Sequence, residues 1–221
     1  MDVNEALDRA EASLDEGKGL RGTGFWPAIT KVKADPDSYD LQRIAAIDRR
    51  AFTDWALLTV PIVPGTLLNL IVTAGGLGLI AWSYAEDTPV RWVWFLLGLG
   101  IVWVTTHGLA HLVVGRIQGM RFTHWFIGEI TLPQPGVKVD YATYLTVPAH
   151  RRAWMHASGA IISKVVPFAL IPAAVESDQP TWVVWAVAAF GVVSVITDIA
   201  WSTKVSDWKK YRREMDFASK G

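Results

Sequence analysis

The sequence predicts an all-α polytopic membrane protein with about four transmembrane helices and a β-hairpin on the cytoplasmic side between the second and third. Three observations point there. Of 221 residues, 51% are hydrophobic and 19% charged, and the mean hydropathy of +0.26 is high for a water-soluble domain. The apolar residues gather into runs of about twenty, the length that crosses ~30 Å of hydrocarbon at ~1.5 Å per residue. Basic residues collect on alternate sides of these runs, the asymmetry that membrane insertion imposes.

The first fifty or so residues are polar, with no apolar stretch of the kind that opens a secretory signal, so no cleaved leader is expected. Residues 1–20 space Val3, Ala6, Leu7, Ala10 and Leu14 among acids, predicting a short acidic amphipathic helix that ends near Gly17 and Gly19 and serves as a solvated cap. After a Gly, Pro and Asp-rich linker, residues 41–52 repeat apolar positions at helical spacing beside Arg43, Arg49 and Arg50, the pattern of a helix lying at the membrane interface.

The four spans are read at residues 55–84, kinked at Pro61 and Pro64, then 90–115, 152–172 and 182–203. Small residues at 73–78 allow a close helix approach. Residues 119–150 are too polar to span; V-K-V-D-Y and A-T-Y-L-T-V alternate between Pro-Gly turn signals, which predicts the hairpin. The domain organisation is therefore a cytoplasmic N-terminal segment 1–52, a four-helix membrane domain 53–204 with a hairpin loop at 118–150, and a basic tail 205–221.

Orientation follows from charge. Arg43, Arg49 and Arg50 precede the first span, Arg116, Arg121, Lys138, Arg151 and Arg152 lie between the second and third, and Lys204, Lys209, Lys210, Arg212 and Arg213 follow the fourth. The other two loops carry Glu86 and Asp87, then Glu176 and Asp178. Both termini are expected in the cytoplasm of a plasma-membrane protein, with Trp92, Trp94, Trp182 and Trp185 at the outer interface. Lys and Arg equal Asp and Glu at 21 each, so a basic nucleic-acid surface has no support and the expected partners are membrane lipids. With no Cys, disulfides and thiolate metal sites are excluded.

Residues 104–111 read V-T-T-H-G-L-A-H. On a helix, His107 and His111 share one face a turn apart, which suits two imidazoles on one metal ion. His107 lies about fifteen residues inward from Trp92, His156 about sixteen from Pro172, and Asp198 about sixteen from Trp182. Ionisable groups at that depth need a partner, a metal or water. Two His and an Asp at one level make a zinc site with an open fourth position. His156 also stands close to Arg151 and Arg152, where a solvated His is the simpler reading, and Lys164 in the third span either pairs with Asp198 or snorkels. His124 and His150 occupy polar flanks.

These residues resemble the site-2 protease family of intramembrane zinc metalloproteases. H-G-L-A-H at 107–111 matches both histidines of H-E-x-x-H, and the following V-V-G-R-I-Q-G-M-R-F resembles the glycine-containing exit of that helix. S-G-A-I-I-S at 158–163 stands where the family carries G-P-x-x-N, keeping Gly159 but not the Pro or Asn. The resemblance spans roughly residues 90–213 and implies a zinc cofactor, a transmembrane or extended peptide substrate, and an Asp as third ligand. Depth favours Asp198 for that role, whereas the family's placement of its Asp near a helix end favours Asp207. Gly108 replaces the Glu that serves as general base. Either Glu129 in F-I-G-E-I substitutes for it, or the chain is a metal-binding relative without peptidase activity, a scaffold or regulator. A histidine-rich di-iron site needs more than the five histidines present, and four spans without an inverted repeat argue against a transporter.

Overall fold

The computed structural model describes residues 2–129, 134–200 and 206–219. In chain order the elements are α1 (Val3–Asp15), α2 (Phe25–Val32), α3 (Leu41–Trp55), β1 (Leu58–Pro61), α4 (Ile62–Ala85), α5 (Arg91–Ile117), β2 (Phe122–Ile127), β3 (Pro135–Val139), α6 (Tyr141–Thr146), α7 (Ala149–Ala169), α8 (Ile171–Glu176), α9 (Thr181–Ala200) and α10 (Asp207–Ala218). They form two compact units, one of Met1–Ile62, Gly115–Arg152 and Glu214–Gly221, the other of Val63–Val114 and Ala153–Arg213.

In the first unit the apolar stripe of α1 (Val3, Ala6, Leu7, Ala10, Leu14) is buried in a core with Phe25, Ile29 and Val32 of α2 and Ile44 and Ile47 of α3. The acidic face of α1 meets the arginines of α3: Arg43 reaches Asp8 and Glu11 at 2.5 and 2.6 Å, and Arg50 reaches Asp15 at 2.6 Å. The expected solvated cap and interfacial helix are thus corrected: each helix buries its apolar face in protein, and two of the arginines answer α1 carboxylates. Asp40 caps α3 by accepting from the Gln42 and Arg43 amides, both at 3.0 Å.

The hairpin gains a strand. β1 pairs antiparallel with β2, and β2 with β3, in the order β1-β2-β3. The first span therefore does not begin at Trp55, which ends α3; Leu58–Pro61 is sheet, and the helix starts at Ile62. Pro61 closes the strand and Pro64 falls in the first helical turn, where no intrahelical N–H is required, so neither has to kink a span. A-T-Y-L-T-V is helix rather than strand. Asp140 accepts from the Thr143 amide at 3.3 Å, and this cap with burial of Tyr144 and Leu145 outweighs the local alternation. Residues 130–133 of the expected hairpin segment and residues 201–203 of the expected fourth span lie outside the described residues.

Glu214 organises the polar interior of this unit. Its carboxylate is fully buried and bonded to Lys33, to Arg152 Nε at 2.7 Å and to the Tyr144 hydroxyl at 3.0 Å. Burial pushes the carboxyl up, but the two cations outweigh it and hold its pKa below the usual 4.5. Nearby, Asp48 takes Lys138 at 2.6 Å, and that ammonium lies 4.8 Å from the Phe52 ring centroid.

Four helices, whose greater part makes up the second unit, are long and apolar enough to cross a membrane: Ile62–Ala85, Arg91–Ile117, Ala149–Glu176 and Thr181–Asp198. Ile80, Phe95, Leu99, Val102, Val166, Val183 and Val187 pack between them, while Leu67, Leu68, Ile71, Val104 and Trp185 are exposed, as lipid-facing residues are. At Gly98 a Cβ would stand 2.5 Å from the Gly76 carbonyl oxygen, so α4 and α5 meet backbone to backbone within the small-residue stretch.

Replacing Glu214 with Gln strands two buried cations and is expected to cost about 3–5 kcal/mol of stability in this unit, read as a lower melting temperature in detergent. Because the folded pKa of Glu214 lies below its unfolded value, its contribution is fully present above the unfolded pKa and is lost as pH falls through the folded one. Wild-type melting temperature should drop on acidification below about pH 5, and Glu214→Gln should flatten that drop.

Candidate metal centre

His107 and His111 lie one turn apart on α5, with ring centroids 4.8 Å apart and planes at 85°. The third member comes from α10. The Ser206 hydroxyl accepts from the Lys209 amide at 3.3 Å, an N-cap that sets the helix start at Asp207. One turn on, Tyr211 stacks with Trp208 at 5.2 Å and meets Trp154 of α7 edge-on at 5.7 Å, which seats α10 against α7. Asp207 Oδ2 then lies 3.1 Å from His111 Nε2 and 3.2 Å from His107 Nε2, and the two Nε2 atoms are 3.2 Å apart. This group could hold a metal ion. Tetrahedral zinc with bonds of ~2.0–2.1 Å keeps its ligand atoms about 3.4 Å apart, close to this triangle.

One face of α7 sets the tautomers. Met155, Gly159 and Ser163 recur every four residues, so they form a single stripe. His111 Nδ1 lies 2.8 Å from the Met155 carbonyl oxygen, which can only accept, so Nδ1 carries the proton. His107 Nδ1 lies 2.8 Å from Ser163 Oγ. That hydroxyl spends its one proton on the Gly159 carbonyl at 2.9 Å, so here too Nδ1–H donates. In the neutral form of each ring, Nε2 would turn a lone pair toward the Asp207 carboxylate. Three electron-pair donors this close repel unless a cation or added protons stand between them.

Gly159 makes the approach of His111 feasible. A Cβ there would stand 2.5 Å from His111 Cε1 and closer still to Nε2, a distance that no side chain tolerates. Trp103 Nε1 donates to the Ser163 carbonyl at 2.8 Å, tying α5 to α7 one turn before His107. Burial pushes the Asp207 carboxyl up; hydrogen bonds from His107 and His111, made when an imidazole carries a proton on Nε2, and the Lys210 ammonium, 3.0 Å from Oδ1, act against it and prevail, holding it well below the usual carboxylate range. Asp207 is therefore an anion.

Of the two aspartates the sequence offered as third ligand, the structure brings Asp207 to the imidazoles. Asp198 is instead paired with Lys164 at 2.5 Å, one of the two arrangements expected for that lysine. His156 is half-buried on α7, one residue and so about 100° around the helix from the stripe that meets α5. Glu129 is exposed, in coil just after β2, and belongs to the other compact unit. Gly108 is buried between the two histidines. Sequence reading passed over the Met155 carbonyl, Ser163 and Lys210. Ser163 had a signal, since it occupies the place of the Asn in G-P-x-x-N; a backbone carbonyl leaves none.

Ser163→Ala removes the acceptor that orients His107 and is expected to weaken divalent-metal binding about 10–100-fold, measured by cobalt absorption titration in detergent. Gly159→Ala should be more severe, because His111 must leave its position. No family model matches the sequence, and neither a curated protein nor a solved structure matches it.

Proposed function

We propose that the chain is a membrane-embedded zinc metalloprotease-like protein that engages membrane-protein segments near the cytoplasmic face, with both termini in the cytoplasm and the plasma membrane as its location. The supporting observation is the convergence of His107 Nε2, His111 Nε2 and Asp207 Oδ2 within about 3.2 Å of one another. Two neutral imidazoles and one carboxylate are the donor set of a catalytic zinc site whose fourth position stays open. A zinc ion bound there supplies a Lewis acid and a hydroxide at neutral pH. The chain's own part is to hold the two imidazoles in the right tautomer through Met155 and Ser163, and to keep Asp207 ionised beside Lys210. The same histidine pair carries the resemblance to site-2 proteases, and Asp207, opening α10, fits that family's Asp near a helix end. An extended substrate strand would pair with an edge of the sheet.

Gly108 favours a second reading of the same site. A peptidase needs a base to take the proton of the attacking water and return it to the leaving amine, and glycine has none to offer. A metal-binding pseudoprotease that holds a membrane segment without cutting it, as scaffold or regulator, needs no such base. Glu129 is the carboxylate proposed as substitute if cleavage occurs.

Elemental mass spectrometry of protein purified in detergent should find close to one zinc per chain, lost in His107→Ala, His111→Ala and Asp207→Ala and kept in Asp198→Asn. Absence of metal above background in wild type overturns both readings. Zinc-loaded wild type is then offered a transmembrane peptide reporter beside Glu129→Gln and Gly108→Glu. Cleavage by wild type that Glu129→Gln abolishes supports the protease with a substitute base; cleavage gained only in Gly108→Glu supports the pseudoprotease.

A further inference from the structure

A second site stands apart from the metal centre. In the unit built from Met1–Ile62, Gly115–Arg152 and Glu214–Gly221, a cavity of about 650 Å³ is lined by Lys31, Lys33, His150 and Arg152, and by no Asp or Glu among the described residues. Most of the remaining wall is apolar, Leu145 and Phe217 included. Cavities of ~300–1,000 Å³ with a few convergent polar groups are where small ligands bind.

Arg152 has an open valence. Its side chain is 2% exposed. Nε donates to Glu214 Oε2 at 2.7 Å, and Nη1 to the carbonyls of Leu145 and Val147 at 3.3 and 2.7 Å. Nη2 donates to nothing among the described residues. A carboxylate facing Arg squarely would take Nε and Nη2 together. Glu214 cannot, because its other oxygen is held by Lys33 and the Tyr144 hydroxyl. Buried guanidinium donors without an acceptor are uncommon. The backbone adds to this positive field, since Pro148, Ala149 and His150, where the 21-residue α7 begins, also line the cavity, and a helix N-terminus attracts anions.

We propose that this cavity binds the phosphate of an anionic ligand, with Arg152 and Lys31 supplying the charge, His150 a further polar contact and the apolar wall taking the ligand's body. Two sources present that chemistry, a phospholipid headgroup and a free phosphate-bearing solute. Ala149 opens a helix long and apolar enough to cross a membrane, which would bring the cavity to headgroup level where that helix spans a bilayer.

The full chain in a maltoside detergent is titrated with inorganic phosphate, with a soluble short-chain phosphatidylglycerol, and with the matching phosphatidylcholine, following tryptophan fluorescence. Arg152 variants risk unfolding, so the test uses Lys31→Glu and His150→Glu, both at exposed positions. Saturable binding of phosphate that either variant weakens at least tenfold supports the site with a soluble ligand. Binding of phosphatidylglycerol but not of phosphate, weakened likewise, supports a headgroup. Equal binding of the zwitterionic lipid, binding that neither variant changes, or no binding overturns the proposal.

Discussion

The candidate metal centre depends on the absence of a side chain at position 159. Because Gly159 has no Cβ, the His111 imidazole lies flush against α7, and only there does its Nδ1 meet the Met155 carbonyl. The rest follows in sequence. Nδ1 is committed as a donor, Nε2 is turned toward Asp207, and His107 reaches Ser163 on the same stripe. A helix face that offers acceptor, gap and acceptor at four-residue intervals orients two imidazoles without contributing a ligand of its own.

Buried charge is handled in two ways. In the membrane unit, Lys164 and Asp198 answer each other one to one, partly exposed, the usual fate of ionisable groups inside a span. In the other unit Glu214 carries two cations and a phenol. Burial and the neighbouring carboxylate raise the Tyr144 phenol well above its usual range, so it remains a donor. Such clusters add less net stability than their contact distances suggest, because each ion must first lose its water. They do fix which helices meet, since a misplaced partner leaves a bare charge.

The spans could be read from the sequence because bilayer thickness is a demand on length alone, and the histidine pair because a helical turn is a fixed count of residues. Choosing between Asp198 and Asp207 needed more. Depth is one coordinate, and it placed Asp198 at the right level, but the angle around α9 decides whom it meets, and Lys164 is there. The N-terminal half shows another limit. Val3, Ala6, Leu7, Ala10 and Leu14 identify α1 as amphipathic, but its partner is α3, which is too distant in sequence for periodicity to reveal. Leu58–Pro61 was absorbed into the first span because an apolar strand running into an apolar helix has no polar break. The alternation at 142–147 was real and lost to the Asp140 cap.

Two ligands one turn apart share a rigid helix, but the third arrives from 96 residues further along the chain. Closing that loop costs entropy that the His pair alone does not incur. With an ion bound, ligation at Asp207 would act as a latch on α10. In such a design, free-energy coupling would run both ways: whatever draws the C-terminal helix from its seat against Trp154 would weaken binding of an ion, and loss of the ion would free the helix.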